Sequence, residues 1–279
     1  MSTFRAYAKI NLGLLVLEKR PDGYHTIETV FHRVNVFDSI TLSPSDELLV
    51  ESSSPAAPGN DRNICFKAAR LLQKHLGVHA GVRISIEKTI PVGAGLGGGS
   101  SDAAGVLLHL PGFWGKTIDD ESLATVALQL GSDVPYFQKP GSALAKGRGE
   151  ILTYFHLDVP YAILLCNPGI PVSTAWAYEH VKPHHRTLDL KSLVECGMKD
   201  RRYLAELTND FEEAVFGTYP VIGRLKRIML ESGAACSSLS GSGSTVYGLF
   251  DDEQAARSTA TALMTKGFTT YLCEPHFSP

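Results

Sequence analysis

The stretch Pro-Val-Gly-Ala-Gly-Leu-Gly-Gly-Gly-Ser-Ser-Asp-Ala-Ala, residues 91–104, decides the fold. A strand-like run precedes it at residues 82–86, and a helix-like run follows at residues 101–110. Glycine permits positive φ angles and lets the backbone approach a ligand closely. The start of a helix adds free N–H groups and the positive end of the helix dipole, which together bind phosphate. The sequence therefore predicts a phosphate-binding loop between a strand and a helix.

Other nucleotide-binding proteins share parts of this pattern. Gly93, Gly95 and Gly98 fit the G-x-G-x-x-G of dinucleotide-binding folds, which also need an acidic residue about twenty positions later, after a second strand. The acids at that distance, residues 119–121, instead open an amphipathic run. No P-loop lysine follows the glycines, and the sequence contains neither H-R-D nor D-F-G. A dinucleotide-dependent oxidoreductase thus stays an alternative, whereas a P-loop protein and a protein kinase are excluded.

Two further stretches join this loop in a pattern that resembles the GHMP small-molecule kinases. Ala-Tyr-Ala-Lys-Ile-Asn-Leu at residues 6–12 is similar to the first motif of that family, and Ser-Leu-Ser-Gly-Ser-Gly-Ser-Thr at residues 238–245 to the third. Arg-Pro-Asp-Gly-Tyr-His at residues 20–25 and Gly-Ser-Asp-Val-Pro at residues 131–135 are similar to the branch that acts on a cytidyl diphosphate substrate. The resemblance extends over essentially the whole chain.

The resemblance implies an α+β fold in the two-lobed GHMP kinase architecture. An N-terminal lobe like domain 2 of ribosomal protein S5, with the ATP-binding loop, is expected over residues 1–155, and a ferredoxin-like lobe over residues 156–279. The sequence pattern agrees, because strands and helices mix without regular βαβ alternation. We predict strands within residues 4–50, helices from residues 63 and 101, and later helices near residues 173–181, 188–196, 201–215, 219–232 and 253–266.

The resemblance also implies a reaction: ATP, with Mg²⁺, phosphorylates the 2-hydroxyl of a cytidyl diphosphate-linked methylerythritol in the non-mevalonate isoprenoid route. A homoserine-type or mevalonate-type kinase is one alternative, and a ligand-binding relative without activity is another. Within the resemblance, Asp133 accepts the proton of the acceptor hydroxyl and Lys9 keeps that carboxylate ionised. From the residues alone, Lys9 fits a solvated strand position and Asp133 an ordinary turn.

The remaining site residues are assigned by the same resemblance. Asn63 is expected near adenine, although the N-cap of the next helix is an equal alternative. Trp176 is the alternative to Tyr178 as a ring that stacks on cytosine, because residues two apart on a helix face different directions. The expected ATP-binding residues are Asn63, Pro91, Val92, Gly93, Ala94, Gly95, Leu96, Gly97, Gly98, Gly99, Ser100 and Ser101. The expected substrate-binding residues are Asn11, Tyr24, His25, Phe31, Tyr178, Gly241 and Ser242. Without the family, the aromatic residues 24, 25 and 31 fit a packed core better than a binding site.

Composition limits the partners. The net charge of −3 predicts no nucleic-acid or polybasic membrane contact, and the sequence shows neither a signal peptide nor eighteen consecutive apolar residues. Five cysteines without C-x-x-C fit a reducing cytoplasm. The pairs His75/His79 and His184/His185 predict no protein-held metal site. We expect a cytoplasmic enzyme, monomeric or homodimeric, whose partners are small molecules.

Overall fold

The structure, a computed structural model, describes residues 1–184 and 188–279 and confirms the α+β class. Its strands are β1 (Ser2–Lys19), β2 (His25–Ser43), β3 (Leu48–Ser52), β4 (Val82–Glu87), β5 (Ser142–Lys146), β6 (Ile151–Phe155), β7 (Ala162–Asn167), β8 (Cys236–Leu239), β9 (Val246–Phe250) and β10 (Thr269–Cys273). Its helices are α1 (Ile64–Leu76), α2 (Gly98–Phe113), α3 (Asp120–Leu130), α4 (Thr174–His180), α5 (Leu190–Gly197), α6 (Glu212–Thr218), α7 (Pro220–Glu231) and α8 (Glu253–Met264). Within these residues no helix is long and apolar enough to cross a bilayer.

The described chain forms two compact units, each built from separated segments. Unit 1 contains Met1–Ala8, Val36–Val92 and Gly97–Pro140, and unit 2 contains Lys9–Asn35, Gly93–Leu96 and Gly141–Pro279. Strands β1 and β2 and the glycine-rich segment therefore contribute residues to both units. The division into consecutive lobes at residue 155 stays a prediction.

Unit 1 places the strand before the glycines inside a sheet. Strand β4 pairs in parallel with β3 and antiparallel with the second half of β2, where Ser39 lies opposite Glu87. Alternate residues of β4 are buried, as a strand with one covered face requires. Helix α1 begins at its N-cap Asn63, ends at Gly77 with φ of 63°, and packs against α2. Helix α2, which follows the glycines, is therefore supported by its packing against α1.

Unit 2 contains a four-stranded antiparallel sheet with the order β10-β7-β9-β8. Helix α7 packs on β8 and β9, and α8 on β7 and β10, so that β7 and β9 are buried along their whole length. Strand β5 pairs with the first half of β2, and β6 pairs with β5. Residues 240–245 connect the antiparallel strands β8 and β9. The glycine-rich stretch near the C-terminus, residues 240–245, therefore forms a hairpin connection.

The predicted helix over residues 201–215 is wrong. This region forms a 3₁₀ helix at Arg201–Glu206, an extended segment, and then α6. Leu14 of β1 bridges Asn209 in parallel, and the Leu14 N–H donates to the Thr208 carbonyl at 2.8 Å. These long-range hydrogen bonds outweigh the helix propensity of the segment. Strand β8 was not predicted, because Cys-Ser-Ser-Leu is short and shows no clear alternation.

Candidate active site

Lys9 is buried in unit 2. Strand β1 alternates in exposure over its first residues, but it is buried without interruption from Ala8 to Val16. The Lys9 side chain is 4% exposed, and its Nζ donates to Asn11 Oδ1 at 2.7 Å and lies 5.0 Å from the centre of the Phe31 ring. A buried ammonium needs such partners, because loss of water is costly for a charge. The alternative of a solvated strand lysine is therefore wrong.

A chain of hydrogen bonds orients the amide of Asn11. Its Nδ2 donates to Thr29 Oγ1 at 2.9 Å, and the Thr29 hydroxyl donates to the Gly13 carbonyl at 2.6 Å. Since Nδ2 is the only donor of this amide, Oδ1 is the atom turned towards Lys9. The ammonium is thereby held at one fixed position on β1.

The first part of the glycine-rich segment, Gly93–Leu96, lies in the same unit and contacts two other motifs. The Lys9 N–H donates to the Leu96 carbonyl at 3.0 Å. The Thr245 N–H donates to the Ala94 carbonyl at 3.2 Å, and the Ser240 hydroxyl donates to the Gly95 carbonyl at 3.0 Å. Three motifs that are far apart in the sequence therefore meet inside unit 2.

Glycine is required where these backbones cross. Gly95 has φ of +80°, and a Cβ there would overlap the Ser240 carbonyl oxygen. A Cβ on Gly243 would overlap the Gly95 nitrogen, and one on Gly241 would lie 3.4 Å from Asn11 Oδ1. The glycines of the third motif therefore serve close backbone packing beside Asn11. Ser242 is buried in the same connection, where its hydroxyl donates to Thr174 Oγ1 at 3.3 Å.

Two buried asparagines hold this connection, and the sequence analysis missed both. Asn209 Nδ2 donates to the carbonyls of Leu239 and Gly241, each at 2.8 Å. Asn167 Nδ2 donates to the hydroxyls of Ser244 at 3.2 Å and Thr245 at 3.0 Å. Each is a single polar residue without a motif around it, so no sequence signal indicates its partner.

The second part of the glycine-rich segment starts α2 in unit 1. Gly97 is the N-cap with φ of 69°, and Ser101 N–H makes the first helical bond to its carbonyl at 2.9 Å. The N–H groups of Gly98, Gly99 and Ser100 precede that bond, so they lack helical acceptors. They carry the positive end of the helix dipole, where an anion is stabilised.

Asn63 caps α1, as its alternative interpretation predicts. Its Oδ1 accepts from the Cys65 N–H at 2.9 Å, and its Nδ2 donates to the Pro58 carbonyl at 2.8 Å. The side chain is buried, so both polar ends serve local structure. A contact of Asn63 with adenine stays a prediction.

Two aromatic segments of unit 2 come together at His25. The rings of His25 and Tyr178 are stacked with centroids 5.2 Å apart, and Tyr178 meets Phe211 edge to face at 4.9 Å. Trp176 instead stacks on His180 at 4.5 Å. Burial, followed by the charge of Lys19, lowers the pKa of His25, so its ring is neutral near pH 7. A neutral imidazole offers one donor and one acceptor to a base edge.

Tyr24 and Phe31 differ in their surroundings. Tyr24 is 54% exposed, and the Arg148 guanidinium lies 4.8 Å from the centre of its ring. Phe31 is 1% exposed and belongs to the core, beneath the Lys9 ammonium. The core interpretation therefore holds for Phe31 and is wrong for Tyr24, whose exposed ring is accessible to a ligand.

Asp133 lies in a short turn of unit 1, between α3 and the 3₁₀ helix Pro135–Gln138. The Val134 N–H donates to the Gly131 carbonyl at 3.3 Å and closes the turn, and the carboxylate is half-buried. The joint action of Lys9 and Asp133 on one hydroxyl stays a prediction.

No group of three or more metal-binding side chains occurs within residues 1–184 and 188–279. His185 of the second histidine pair lies outside these residues. The expectation that the protein itself holds no metal stays a prediction.

Comparison with known proteins agrees with the three motifs. The family models for the GHMP kinases N-terminal domain and the GHMP kinases C-terminal domain match residues 63–140 and 190–269. The chain is 44% identical over 279 residues to a 4-diphosphocytidyl-2-C-methyl-D-erythritol kinase of Chlorobium limicola, covering 98% of this chain and 97% of the relative. It is 45% identical over 264 residues to that of Prosthecochloris aestuarii, covering 93% and 92%. The chain belongs to the 4-diphosphocytidyl-2-C-methyl-D-erythritol kinase family, within the GHMP kinases.

Solved structures agree with membership of the 4-diphosphocytidyl-2-C-methyl-D-erythritol kinase family. The crystal structure of a 4-(cytidine 5'-diphospho)-2C-methyl-D-erythritol kinase superposes with a TM-score of 0.82 at 33% identity, covering 98% of each chain. A homoserine kinase from Cytophaga hutchinsonii superposes with a TM-score of 0.73 at 19% identity, covering 99% of this chain and 95% of the other, which shows a shared fold alone. The two-lobed GHMP kinase fold and the small-molecule kinase class are therefore confirmed, with ATP as co-substrate. The dinucleotide-dependent oxidoreductase is excluded.

Proposed function

We propose that this kinase transfers the γ-phosphoryl group of ATP to the 2-hydroxyl of 4-diphosphocytidyl-2-C-methyl-D-erythritol, in the non-mevalonate isoprenoid route. The products are the 2-phosphate and ADP. Relatives with this name cover nearly the whole chain at 44% identity. The observation that carries the substrate assignment is the stacked pair of His25 and Tyr178, which lies in the same unit as Lys9 and Asn11.

We propose that this stacked pair binds the cytosine ring. An aromatic face contributes about 1–3 kcal/mol to the binding of a nucleobase, and the neutral His25 ring can bond the base edge. The acceptors homoserine and mevalonate carry no ring that could use either group. We therefore assign the cytidyl end of the substrate to His25, Tyr178 and the exposed ring of Tyr24.

Phosphoryl transfer requires a proton acceptor and charge neutralisation. Asp133 takes the proton from the 2-hydroxyl of the substrate, and the hydroxyl oxygen bonds to the γ-phosphorus of ATP. The bond between the γ-phosphorus and the bridging oxygen of the β-phosphate breaks, and ADP leaves. Lys9 supplies a fixed positive charge that favours the ionised forms of Asp133 and of the hydroxyl. The free N–H groups at the start of α2 bind phosphate oxygens. Support for the role of Asp133 is its motif, Gly-Ser-Asp-Val-Pro at residues 131–135.

The residues present fit Mg²⁺ that arrives with ATP. Ser100 and Ser101 bring hydroxyl oxygens to the first turn of α2, and Mg²⁺ prefers oxygen ligands and retains several waters. We propose that one of these hydroxyls and the ATP phosphates hold the ion. When bound, Mg²⁺ neutralises charge on the phosphates.

Location and assembly follow the same reasoning. All five cysteines lie within the described residues and are free, which suits a reducing compartment. We propose a cytoplasmic monomer or homodimer, without nucleic-acid or membrane partners.

A direct comparison of acceptors tests the substrate. The purified protein is incubated with ATP and Mg²⁺ and, separately, with the cytidyl substrate, homoserine or mevalonate, and ADP release is measured. We expect efficient turnover with the cytidyl substrate alone. Turnover of homoserine or mevalonate without turnover of the cytidyl compound would contradict the proposal.

A further inference from the structure

Unit 1 contains a buried network of three charged side chains that the proposed reaction does not use. Lys88 Nζ lies 2.5 Å from Asp38 Oδ2 and 2.8 Å from Asp102 Oδ2. The side chain of Lys88 is 5% exposed, that of Asp38 is 0% exposed and that of Asp102 is 4% exposed. We call Asp38, Lys88 and Asp102 the charge network.

The charge network contacts both flanks of the glycine-rich segment. Lys88 directly follows β4, and Asp38 Oδ1 accepts from the N–H groups of Thr89 at 2.6 Å and Ile90 at 2.9 Å. Asp102 lies in the second turn of α2, on the other flank. One ammonium therefore joins the strand end before the glycines to the helix that starts after them.

Packing at the helix start depends on the same contacts. A Cβ on Gly98, the first residue of α2, would lie 2.9 Å from Ile90 Cγ2 and 3.3 Å from Lys88 Nζ. The first residue of α2 thus rests on the segment that Asp38 fixes. A shift of Lys88 or Ile90 would move the helix N-terminus that is to receive the phosphates.

The charge network places two carboxyl groups against one ammonium, which a purely stabilising role does not require. Two carboxylates face one ammonium, and Asp102 Oδ1 is buried without a hydrogen-bond partner among the described residues. Burial raises the pKa of Asp102 to about 7, against the opposing effect of Lys88. Buried ion pairs seldom stabilise a fold more than apolar residues of the same size. A geometric role explains better why such a network is present.

We propose that Asp38, Lys88 and Asp102 are positioning residues for ATP, because they hold residues 88–92 and the start of α2 at the spacing that the triphosphate requires. The proposal deepens the proposed function and rests on its use of ATP. It assigns these side chains an effect on the nucleotide and none on the cytidyl end of the substrate.

The test uses the isosteric variant Asp102→Asn. ATP and CDP are titrated separately into the whole protein by calorimetry, and steady-state kinetics with the cytidyl substrate give KM and kcat. We expect the Kd and KM for ATP to rise about tenfold, as loss of one charged hydrogen bond allows, and the Kd for CDP to stay within about twofold. kcat should change less than about threefold, since an interaction made equally in ground and transition states affects KM alone.

Two further variants complete the experiment. Asp38→Asn removes the other carboxylate and should weaken the binding of ATP by a similar factor. Glu51→Gln is the control: it breaks the exposed ion pair between Glu51 on β3 and Arg83 on β4, which are 3.2 Å apart. It should change neither the Kd for ATP nor the Kd for CDP. Wild-type ATP affinity in a folded Asp102→Asn protein would overturn the proposal, as would an equal loss of ATP and CDP binding. If the wild type fails to phosphorylate the cytidyl substrate, the proposed function is wrong, while the ATP titration still tests the charge network.

Discussion

The position of the Lys9 ammonium is fixed by a series of neighbouring side chains. Its ammonium is buried over Phe31 and bonded to Asn11, whose amide is in turn fixed by Thr29. The side chain therefore loses little freedom when a ligand arrives, and its charge acts where little water screens it. The proposed role of Lys9 needs such a fixed charge, because a cation favours the ionised form of a carboxylate that comes close to it.

Asp133→Asn tests the proton acceptor. The amide keeps the shape of the carboxylate but cannot take the proton, so kcat should fall by roughly 10²–10⁴ while the Kd values of both substrates change little. Asp120→Asn, an exposed acid in the first turn of α3 in the same unit, serves as the control and should be fully active. Turnover close to that of the wild type in folded Asp133→Asn would remove Asp133 from the mechanism.

Tyr178→Leu tests the stacking ring. Loss of an aromatic face should cost about 1–3 kcal/mol in affinity for CDP, measured by calorimetry, while ATP affinity stays unchanged. Trp176→Leu is the matched control on the same helix, because Trp176 stacks on His180 rather than on His25. If Trp176→Leu weakens CDP and Tyr178→Leu does not, the two rings have been assigned the wrong way round.

At the scale of elements, two glycine-rich turns form one packed feature. Gly93–Leu96 lies against the connection between β8 and β9, and hydrogen bonds from Ser240 and Thr245 tie the two together. Each turn thus depends on the other for its shape. A side chain at their crossing should therefore disturb both, even where the residue itself touches no ligand.

Gly95→Ala and Gly93→Ala form a matched pair for this crossing. Both glycines have positive φ, of +80° and +69°, so each alanine carries about 1–2 kcal/mol of backbone strain. Only at Gly95 would the new Cβ overlap the Ser240 backbone, whereas Gly93 has open space. Thermal unfolding should show a clearly lower Tm for Gly95→Ala than for Gly93→Ala. Equal Tm values for the two variants would mean that the turns do not pack as described.

The elements show where sequence reasoning succeeds. The start of α1 was predicted, because Asn63 is a residue type that favours the N-cap position. The break within residues 201–215 was not, since it comes from a bridge between Asn209 and Leu14 nearly two hundred residues earlier. Local propensity carries no information about such a partner.

At the scale of the whole molecule, the candidate site also contains some residues that the sequence predicts and others that only distant contacts reveal. Motifs single out Lys9, the glycines and the aromatic residues as candidates, because the chemistry proposed for them requires particular residue types. Asn167 and Asn209, which hold the third motif, and the charge network were not predicted as partners. Their importance comes from burial and from contacts across the chain, which single residues do not reveal. Sequence motifs thus predict candidate ligand-binding groups, whereas the buried partners that position these groups become visible only in the structure.

His32 should make stability depend on pH. Burial lowers its pKa from 6.5 to about 4, and its Nδ1 is 2.9 Å from Ser142 Oγ. Between these pH values the unfolded chain binds the proton and the folded chain does not, so stability falls as pH falls from 6.5 to 4, by up to about 3 kcal/mol. Denaturant titrations across this range should show a smaller loss in His32→Asn than in the wild type. The exposed His75→Asn is the control, and a loss in His32→Asn as large as in the wild type would contradict the assignment.

Ligand-induced stabilisation tests the whole kinase, because a ligand that binds only the folded protein must raise its Tm. At a concentration one hundred times its Kd, a ligand adds about 2.7 kcal/mol, or roughly 5 °C in Tm for a chain of this size. We expect ATP and CDP each to raise Tm and NADH to leave it unchanged. Asp102→Asn should reduce the shift with ATP alone at a fixed ATP concentration, and Tyr178→Leu the shift with CDP alone. A rise in Tm with NADH and none with ATP or CDP would contradict the kinase assignment. If either variant lost the rise in Tm with both ATP and CDP, the two nucleotides would not bind to separate groups of residues.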